Sequence, residues 1–230
     1  GRMINMIKRS TTLYAFSRNM SYLSLKFIIP FWLAMEVSES DALDFELDAV
    51  GLSVSILDTG NSNYEHETIS LRAHLITDFR KMGNWDIHWA LEPNINWFKH
   101  KLNNPLWIGV EEPNYQEQRK LYTDGIDFMF WGIEATAMAR RQLSRTVSLE
   151  FSAALGIGHL DDRTERQSKG FTFSETGRAG VLVNLKPNAV FVGYAVTHIS
   201  NAGFNGLNGG YDLSGFSVRF ERNIDFGILP

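Results

Sequence analysis

From Leu43 onward, apolar and polar positions alternate with a period of two rather than 3.6, the pattern of half-buried strands rather than amphipathic helices. Between Thr146 and Gly158, Val147, Leu149, Phe151, Ala153, Leu155 and Ile157 fall on one face. The other face carries Ser148, Glu150, Ser152, Ala154, Gly156 and Gly158. From Ile69, Leu71, Ala73 and Leu75 oppose Arg72 and His74, and from Asn84, Trp85, Ile87, Trp89 and Leu91 oppose Asp86, His88 and Glu92. Segments of this kind cover 43–57, 67–80, 84–98, 126–141, 145–158, 172–185, 189–200 and 211–222. The first and fourth alternate less cleanly, and each reads as the place for a β-bulge.

The connections alternate in length. Residues 58–66, 99–125, 159–171 and 201–210 are long, whereas Lys81-Met82-Gly83, Gln142-Leu143-Ser144 and Lys186-Pro187-Asn188 are tight. No apolar run approaches the roughly 18 residues of a spanning helix. A membrane chain without such a run must satisfy its backbone in a closed barrel. The prediction is all-β: an eight-stranded antiparallel transmembrane β-barrel with short periplasmic turns and longer extracellular loops. A soluble lipocalin-like barrel would carry the opposite polarity, apolar within and polar outside. Here the second face is small, charged or amide-bearing, and Arg72, Asp86, Glu150, Arg178 and Arg219 are expected to pair inside a narrow lumen. Trp85, Trp97, Trp131, Tyr194 and Tyr211 lie near strand ends, where interfacial girdles or core packing would use them.

Composition narrows the picture. The 230-residue chain allows one domain plus processing segments, and a net charge of −4 argues against nucleic acid as a partner. With no cysteine, disulfides, a thiol nucleophile and a zinc–thiolate site are excluded. Lys8, Arg9, Arg18 and Lys26 precede a short apolar run, Phe27 to Met35, followed by a small-residue cleavage site at Ser40-Asp41-Ala42. Residues 1–42 therefore read as a signal peptide or N-terminal extension and 43–230 as the barrel domain. Export through a cleaved signal peptide to the outer membrane of a Gram-negative bacterium is the expected location.

Parity locates the chemistry. His198 and Ser200 are two apart in a strand, so their side chains leave the same face. Val190, Val192, Tyr194 and Val196 share that face, which is the one expected to meet lipid. In the last segment Asp212 and Ser214 share parity with Phe216, Val218 and Phe220, which brings Asp212 to the same rim, across the hairpin from His198. A serine hydroxyl is a weak nucleophile until an adjacent base takes its proton, and that base needs an orienting partner. A charged group on the lipid face costs about 2–4 kcal/mol at the midplane and much less at the interface, so the rim is where such groups persist. A lone His-x-Ser is ordinarily structural; its neighbours and its face change that reading. His66, His74, His88, His100 and His159 have no serine at useful spacing, and His74 and His88 are expected in the polar interior. Asp161-Asp162 and Glu111-Glu112 read as solvated loop charges rather than a calcium site.

The run His198-Ile199-Ser200-Asn201-Ala202-Gly203, followed by Asn208, Gly209 and an acid twelve residues after the serine, resembles the C-terminal signature of the PagL-type lipid A 3-O-deacylases. The resemblance implies hydrolysis of the ester that joins a 3-hydroxyacyl chain to position 3 of lipid A, with lipopolysaccharide as substrate and no metal or organic cofactor. By position, Ser200 would be the nucleophile, His198 the general base and Asp212 its orienting acid, with Asn201 and Gly203 around the oxyanion hole. In one respect the chain departs from the family: the acid is usually Glu, and Asp212 is one methylene shorter. The rival expectation is a non-enzymatic small outer-membrane barrel, an adhesion or stability protein acting through its outer loops. A barrel acyltransferase would need an internal acyl pocket that the charged interior face does not suggest. Beyond membrane lipid and substrate, the pattern leaves room for a homodimer.

Overall fold

The structure, a computed structural model, describes residues 47–204 and 206–224; the expected export segment, 1–42, lies outside them. The strands are β1 (Ala49–Asp58), β2 (Tyr64–Met82), β3 (Trp85–Leu102), β4 (Ile126–Gln142), β5 (Val147–Leu160), β6 (Gly170–Leu185), β7 (Asn188–Ser200) and β8 (Tyr211–Asn223). They follow one another in an antiparallel ring, closed where β1 pairs with both β2 and β8. Closure gives every strand a paired neighbour on both sides, which a chain surrounded by hydrocarbon requires. Among the described residues no helix is long and apolar enough to cross a membrane. This is the outer-membrane β-barrel fold that the alternation predicted.

At one end the strands are joined by short turns. Gly83, at φ 60°, takes the first central position of the β2–β3 turn, where a type II′ turn needs a positive φ. At the other end lie four loops: L1 (59–63), L2 (103–125), L3 (161–169) and L4 (201–210). L1 is shorter than the sequence pattern implied, because β2 continues out to Tyr64. L2 holds a 3₁₀ turn at Pro105–Trp107 and a helix, α1 (Tyr115–Asp124), that buries Tyr122 against Tyr64, Leu102 and Ile108. The helix ends at Gly125, whose φ of 95° is open to glycine, with its N–H bonded to the Leu121 carbonyl.

The bulge lies elsewhere than expected. β1 and β4 keep one register throughout, whereas β2 shifts against β3 between Asp78 and Arg80. The extra residue falls just after Ile76 and Thr77, consecutive residues that are both buried. The uneven stretch of β4 at Thr136–Met138 instead reflects Ala137, whose small side chain is buried although it lies on the outward parity.

Side-chain polarity is inverted relative to a soluble barrel. Leu52, Val54 and Ile56 of β1 and Phe216, Val218 and Phe220 of β8 are exposed on the outer wall, a contiguous apolar band that suits lipid. Within, Glu92, Glu134, Glu150 and Glu221 interleave with Arg72, Arg140, Arg178 and Arg219. Arg178 Nη2 stands 2.8 Å from Glu92 Oε2, Arg219 Nη2 2.6 Å from Glu150 Oε2, and Arg72 Nη2 3.3 Å from Glu134 Oε2. Charges this deep persist only when each has a partner. Asp86 is not among them. It faces Lys81 near the turn end and is half exposed, because it lies beyond the bulge at the barrel's margin.

The lumen is not polar along its whole length. Toward the loop end Phe98, Phe128, Phe130, Leu160, Ile199, Tyr211 and Leu213 fill it as one apolar cluster. Tyr211 therefore serves the interior rather than a girdle, with its ring stacked 4.3 Å from that of His66. Trp97, Trp131 and Tyr194 do stand on the outer wall.

Candidate active site

On β7, Phe191, Ala195, Thr197 and Ile199 turn into the lumen, and Val192, Tyr194, Val196, His198 and Ser200 turn outward. On β8, Tyr211 and Leu213 turn inward while Asp212 and Phe216 turn outward. The register sets His198 directly opposite Asp212. Their side chains meet on the outer wall at the loop end, with His198 Nδ1 2.7 Å from Asp212 Oδ1 and the two side chains 26% and 47% exposed. Donation of Nδ1–H to the carboxylate fixes the tautomer and leaves Nε2 as the basic nitrogen. The short side chain of Asp212 reaches the ring because β7 and β8 are direct neighbours.

Ser200 is the last residue of β7, and the backbone reverses immediately after it. Ala202 and Gly203 both adopt positive φ, 51° and 83°, a conformation that costs alanine about 1 kcal/mol and must be held by its surroundings. Asn201, fully buried, supplies the hold. Its Oδ1 accepts from the Gly203 N–H at 2.9 Å, its Nδ2 donates to the Leu207 carbonyl at 2.9 Å, and its own N–H donates to Asn208 Oδ1 at 3.0 Å. The chain then returns to β8 through Gly210, at φ 59°. A Cβ at Gly210 would fall 3.1 Å from His198 Cε1 and 3.5 Å from Ser200 Cβ. Imidazole and serine thus converge over a position that only glycine leaves open. Among the described residues no hydrogen bond joins Ser200 to His198; such contacts commonly tighten only around substrate.

Two features of this face were not predicted. β6 places Glu175 opposite His198 and Phe173 opposite Ser200, so the histidine lies between carboxylates on both flanking strands. The Phe173 ring also stands 6.0 Å from that of Phe204 in L4, giving the serine an aromatic border.

A second set of the same residue types lies on the other side of the wall. His74 Nε2 is 2.8 Å from Ser53 Oγ, and its Nδ1 is 2.8 Å from Glu92 Oε1, all three side chains buried in the lumen. The expectation that His74 lacks a serine is thereby corrected. Spacing along one strand cannot reveal a partner from the neighbouring strand, and Gly51, two residues before Ser53, is the one that pairs with His74. Among the described residues no group of three or more His, Asp or Glu side chains is arranged to hold a metal ion.

The profile of the family described as lipid A 3-O-deacylase (PagL) matches residues 68–221, most of the barrel. This chain belongs to the PagL family. The matched segment contains His198, Ser200 and Asp212 but not Ser53. No curated protein matches the sequence. Among solved structures, the outer membrane enzyme PagL aligns at 12% identity and a TM-score of 0.48, over 76% of this chain and 99% of that one. Neisserial surface protein A aligns at 12% identity and 0.43, over 76% and 96%. Ail of Yersinia pestis aligns at 13% and 0.34, over 77% and 99%.

Of the residues that the resemblance assigned, the PagL-family chain brings His198 and Asp212 into contact and sets Ser200 beside them. Asn201 and Gly203 are bonded to each other within L4. The residues that sequence reading passed over are Glu175 and, in L3, Arg166, whose guanidinium donates to the Gly209 and Gly210 carbonyls. Period-two parity could have found Glu175, which shares the outward face of Phe171 and Phe173. No local pattern marks Arg166.

Proposed function

We propose that the chain is a lipid A 3-O-deacylase, a serine esterase working on the outer wall of a barrel in a Gram-negative outer membrane. The observation that carries the reading is the 2.7 Å His198–Asp212 contact on the lipid-facing side, with Ser200 next along that face, in a chain of the PagL family. Ionisable groups are rare on a lipid-facing wall and mark function where they occur, and the loop-end rim is both where their cost is smallest and where ester bonds of an outer-leaflet lipid would lie.

In this reading Ser200 Oγ attacks the carbonyl carbon of the acyl ester at position 3 while His198 Nε2 takes the hydroxyl proton. Asp212 holds the ring in orientation and stabilises the imidazolium. Collapse of the tetrahedral intermediate breaks the bond to the sugar oxygen, which leaves with the proton from His198. Water, activated by the same nitrogen, then attacks the acyl-serine, releasing a 3-hydroxy fatty acid and restoring Ser200. The buried Asn201 keeps the backbone reversal behind the serine in place, and Phe173 offers an apolar flank to the departing chain.

Mass spectrometry of lipid A from cells expressing the wild-type chain or Ser200→Ala tests the proposal. Loss of one 3-hydroxyacyl mass with the wild type alone is expected. Identical lipid A from both would sink the reading and favour a non-enzymatic barrel.

A further inference from the structure

L3 reaches from the lumen to the floor of the rim site. Glu165 turns inward, where its Oε2 lies 2.8 Å from His100 Nε2 and its side chain is almost fully buried. Arg166 turns toward L4. Its Nη2 donates to the Gly209 carbonyl at 2.8 Å and its Nε to the Gly210 carbonyl at 3.2 Å, while the Gly209 N–H donates to the Arg166 carbonyl at 2.6 Å. The guanidinium also lies over the Tyr64 ring, 4.6 Å from its centroid. Ser168 continues the ladder, donating its N–H to the Leu207 carbonyl and accepting the Leu207 N–H at its hydroxyl. L3 is therefore anchored inside the barrel by one side chain and holds L4 with the next.

The strand of L4 it holds is the one beneath the catalytic pair. Gly210 is the position over which His198 and Ser200 converge, and Gly209 and Gly210 have no side chains with which to fix themselves. At Gly209 a Cβ would lie 2.9 Å from the Arg166 carbonyl, so the close approach of the two loops itself requires glycine there. A guanidinium presents its donors in a rigid fork that fixes two successive carbonyls relative to each other, whereas an ammonium, with three freely rotating donors on a flexible stem, holds them less firmly.

We propose that L3 is a working part of the hydrolytic site and that Arg166 is a positioning residue. By gripping the Gly209 and Gly210 carbonyls it sets the height of the glycine floor, and so the approach of His198 Nε2 to Ser200 Oγ. The inference rests on the deacylase reading. It adds that the catalytic geometry is set by a loop whose nearest catalytic neighbour is reached only through backbone. A displacement of an ångström at reacting groups can cost on the order of 10²-fold in rate, so a floor whose two carbonyls are gripped by a single side chain is a sensitive point.

The test uses the full chain in detergent micelles, with Arg166→Gln, Arg166→Lys and Ser168→Ala. Steady-state release of 3-hydroxy fatty acid from lipopolysaccharide is measured beside the ring NMR resonances of His198. For Arg166→Gln, kcat is expected to fall about 10- to 100-fold with KM little changed and the His198 signals displaced. Arg166→Lys should recover part of the rate, and Ser168→Ala, which loosens the same ladder from its far side, should show a smaller loss of the same kind. Wild-type kcat and unmoved His198 signals in Arg166→Gln overturn the proposal. If Arg166→Gln does not form a barrel, Arg166→Lys and Ser168→Ala decide on the same two readouts. A wild-type chain inert toward lipopolysaccharide, whose His198 signals still move on loss of Arg166, would overturn the deacylase reading and leave the coupling of L3 to His198 standing.

Discussion

Two serine–histidine–carboxylate sets occupy opposite sides of one barrel wall. In the lumen, Ser53, His74 and Glu92 are joined by two contacts of 2.8 Å and are almost wholly buried. At the rim, His198 and Asp212 meet at 2.7 Å, partly exposed, and Ser200 stands beside them without a hydrogen bond to the ring. By hydrogen-bond geometry the lumen set is the better formed. Yet Glu92 also receives Arg178 and lies 3.7 Å from Arg72, so its charge is spent on a buried lattice. No ester could reach Ser53 without displacing packed side chains. The looser set is the one open to the membrane. In the deacylase reading, the packed lumen set would serve stability, and the open set at the interface would be the one with room for substrate.

The most direct way to break this comparison is to remove each hydroxyl. Ser200→Ala should lower kcat for release of 3-hydroxy fatty acid by at least about 10⁴-fold, as loss of a nucleophile does elsewhere. Ser53→Ala should leave kcat unchanged and cost about 1 kcal/mol of stability, the worth of a buried hydrogen bond. The reverse pattern in that assay would make the lumen set the active one.

Glu92→Gln sharpens the same contrast from the stability side. It leaves Arg178, Arg72 and His74 facing a neutral amide in the lumen, a change worth about 3–5 kcal/mol where one partner of a buried pair is lost. Denaturant unfolding of the refolded barrel should register that loss, with activity per folded molecule unchanged. A variant as stable as the wild type would mean that the lattice does not depend on this carboxylate.

What was legible in the sequence divides along the same line. The rim set was legible because its three residues lie on consecutive strands whose parity can be counted outward from Val192, Val196 and Phe216, and because Asp212 begins β8 where the hairpin requires it. The lumen set was not, since Ser53, His74 and Glu92 come from three strands and their meeting depends on the registers of β1 with β2 and of β2 with β3. The aromatic fill of the lumen was missed for a related reason. Parity puts Phe98 with Glu92 and Leu213 opposite Phe216, on the inner face, but it does not say which heights of that face are filled by ion pairs and which by an apolar cluster across several strands. Helix α1 escaped because YQEQRKLYTD carries little apolar periodicity and buries only Tyr122 fully, with Tyr115 partly packed beside it. Arg166 escaped because a loop contact to backbone carbonyls leaves no trace in pattern.

Asp212→Asn tests whether the rim carboxylate acts by charge or by shape. The amide can hold the ring, but it does not stabilise the imidazolium, and it can present N–H to Nδ1 and so favour the wrong tautomer. A fall in kcat of about 10²- to 10⁴-fold is expected, with KM near that of the wild type. Glu175, opposite His198 on β6, is the group that could blunt the loss. If Asp212→Asn keeps most of its activity and the added change Glu175→Gln removes it, the two carboxylates share the work.

The smallest effect should come from Asp212→Glu, which restores the acid usual in the resemblance that first marked this position. The added methylene moves the carboxylate outward along a wall where it is already about half exposed, so no buried volume opposes it. One more rotatable bond must be ordered to keep the contact with Nδ1, a cost of a few tenths of a kcal/mol to about 1 kcal/mol. Activity is therefore expected within about fivefold of the wild type, a factor of that size corresponding to roughly 1 kcal/mol. Steady-state kinetics of the two variants side by side makes the point. If Asp212→Glu proves as impaired as Asp212→Asn, the short β7–β8 contact, rather than the charge, is what the site depends on. The wall would then have been adapted to aspartate by the approach of its last two strands.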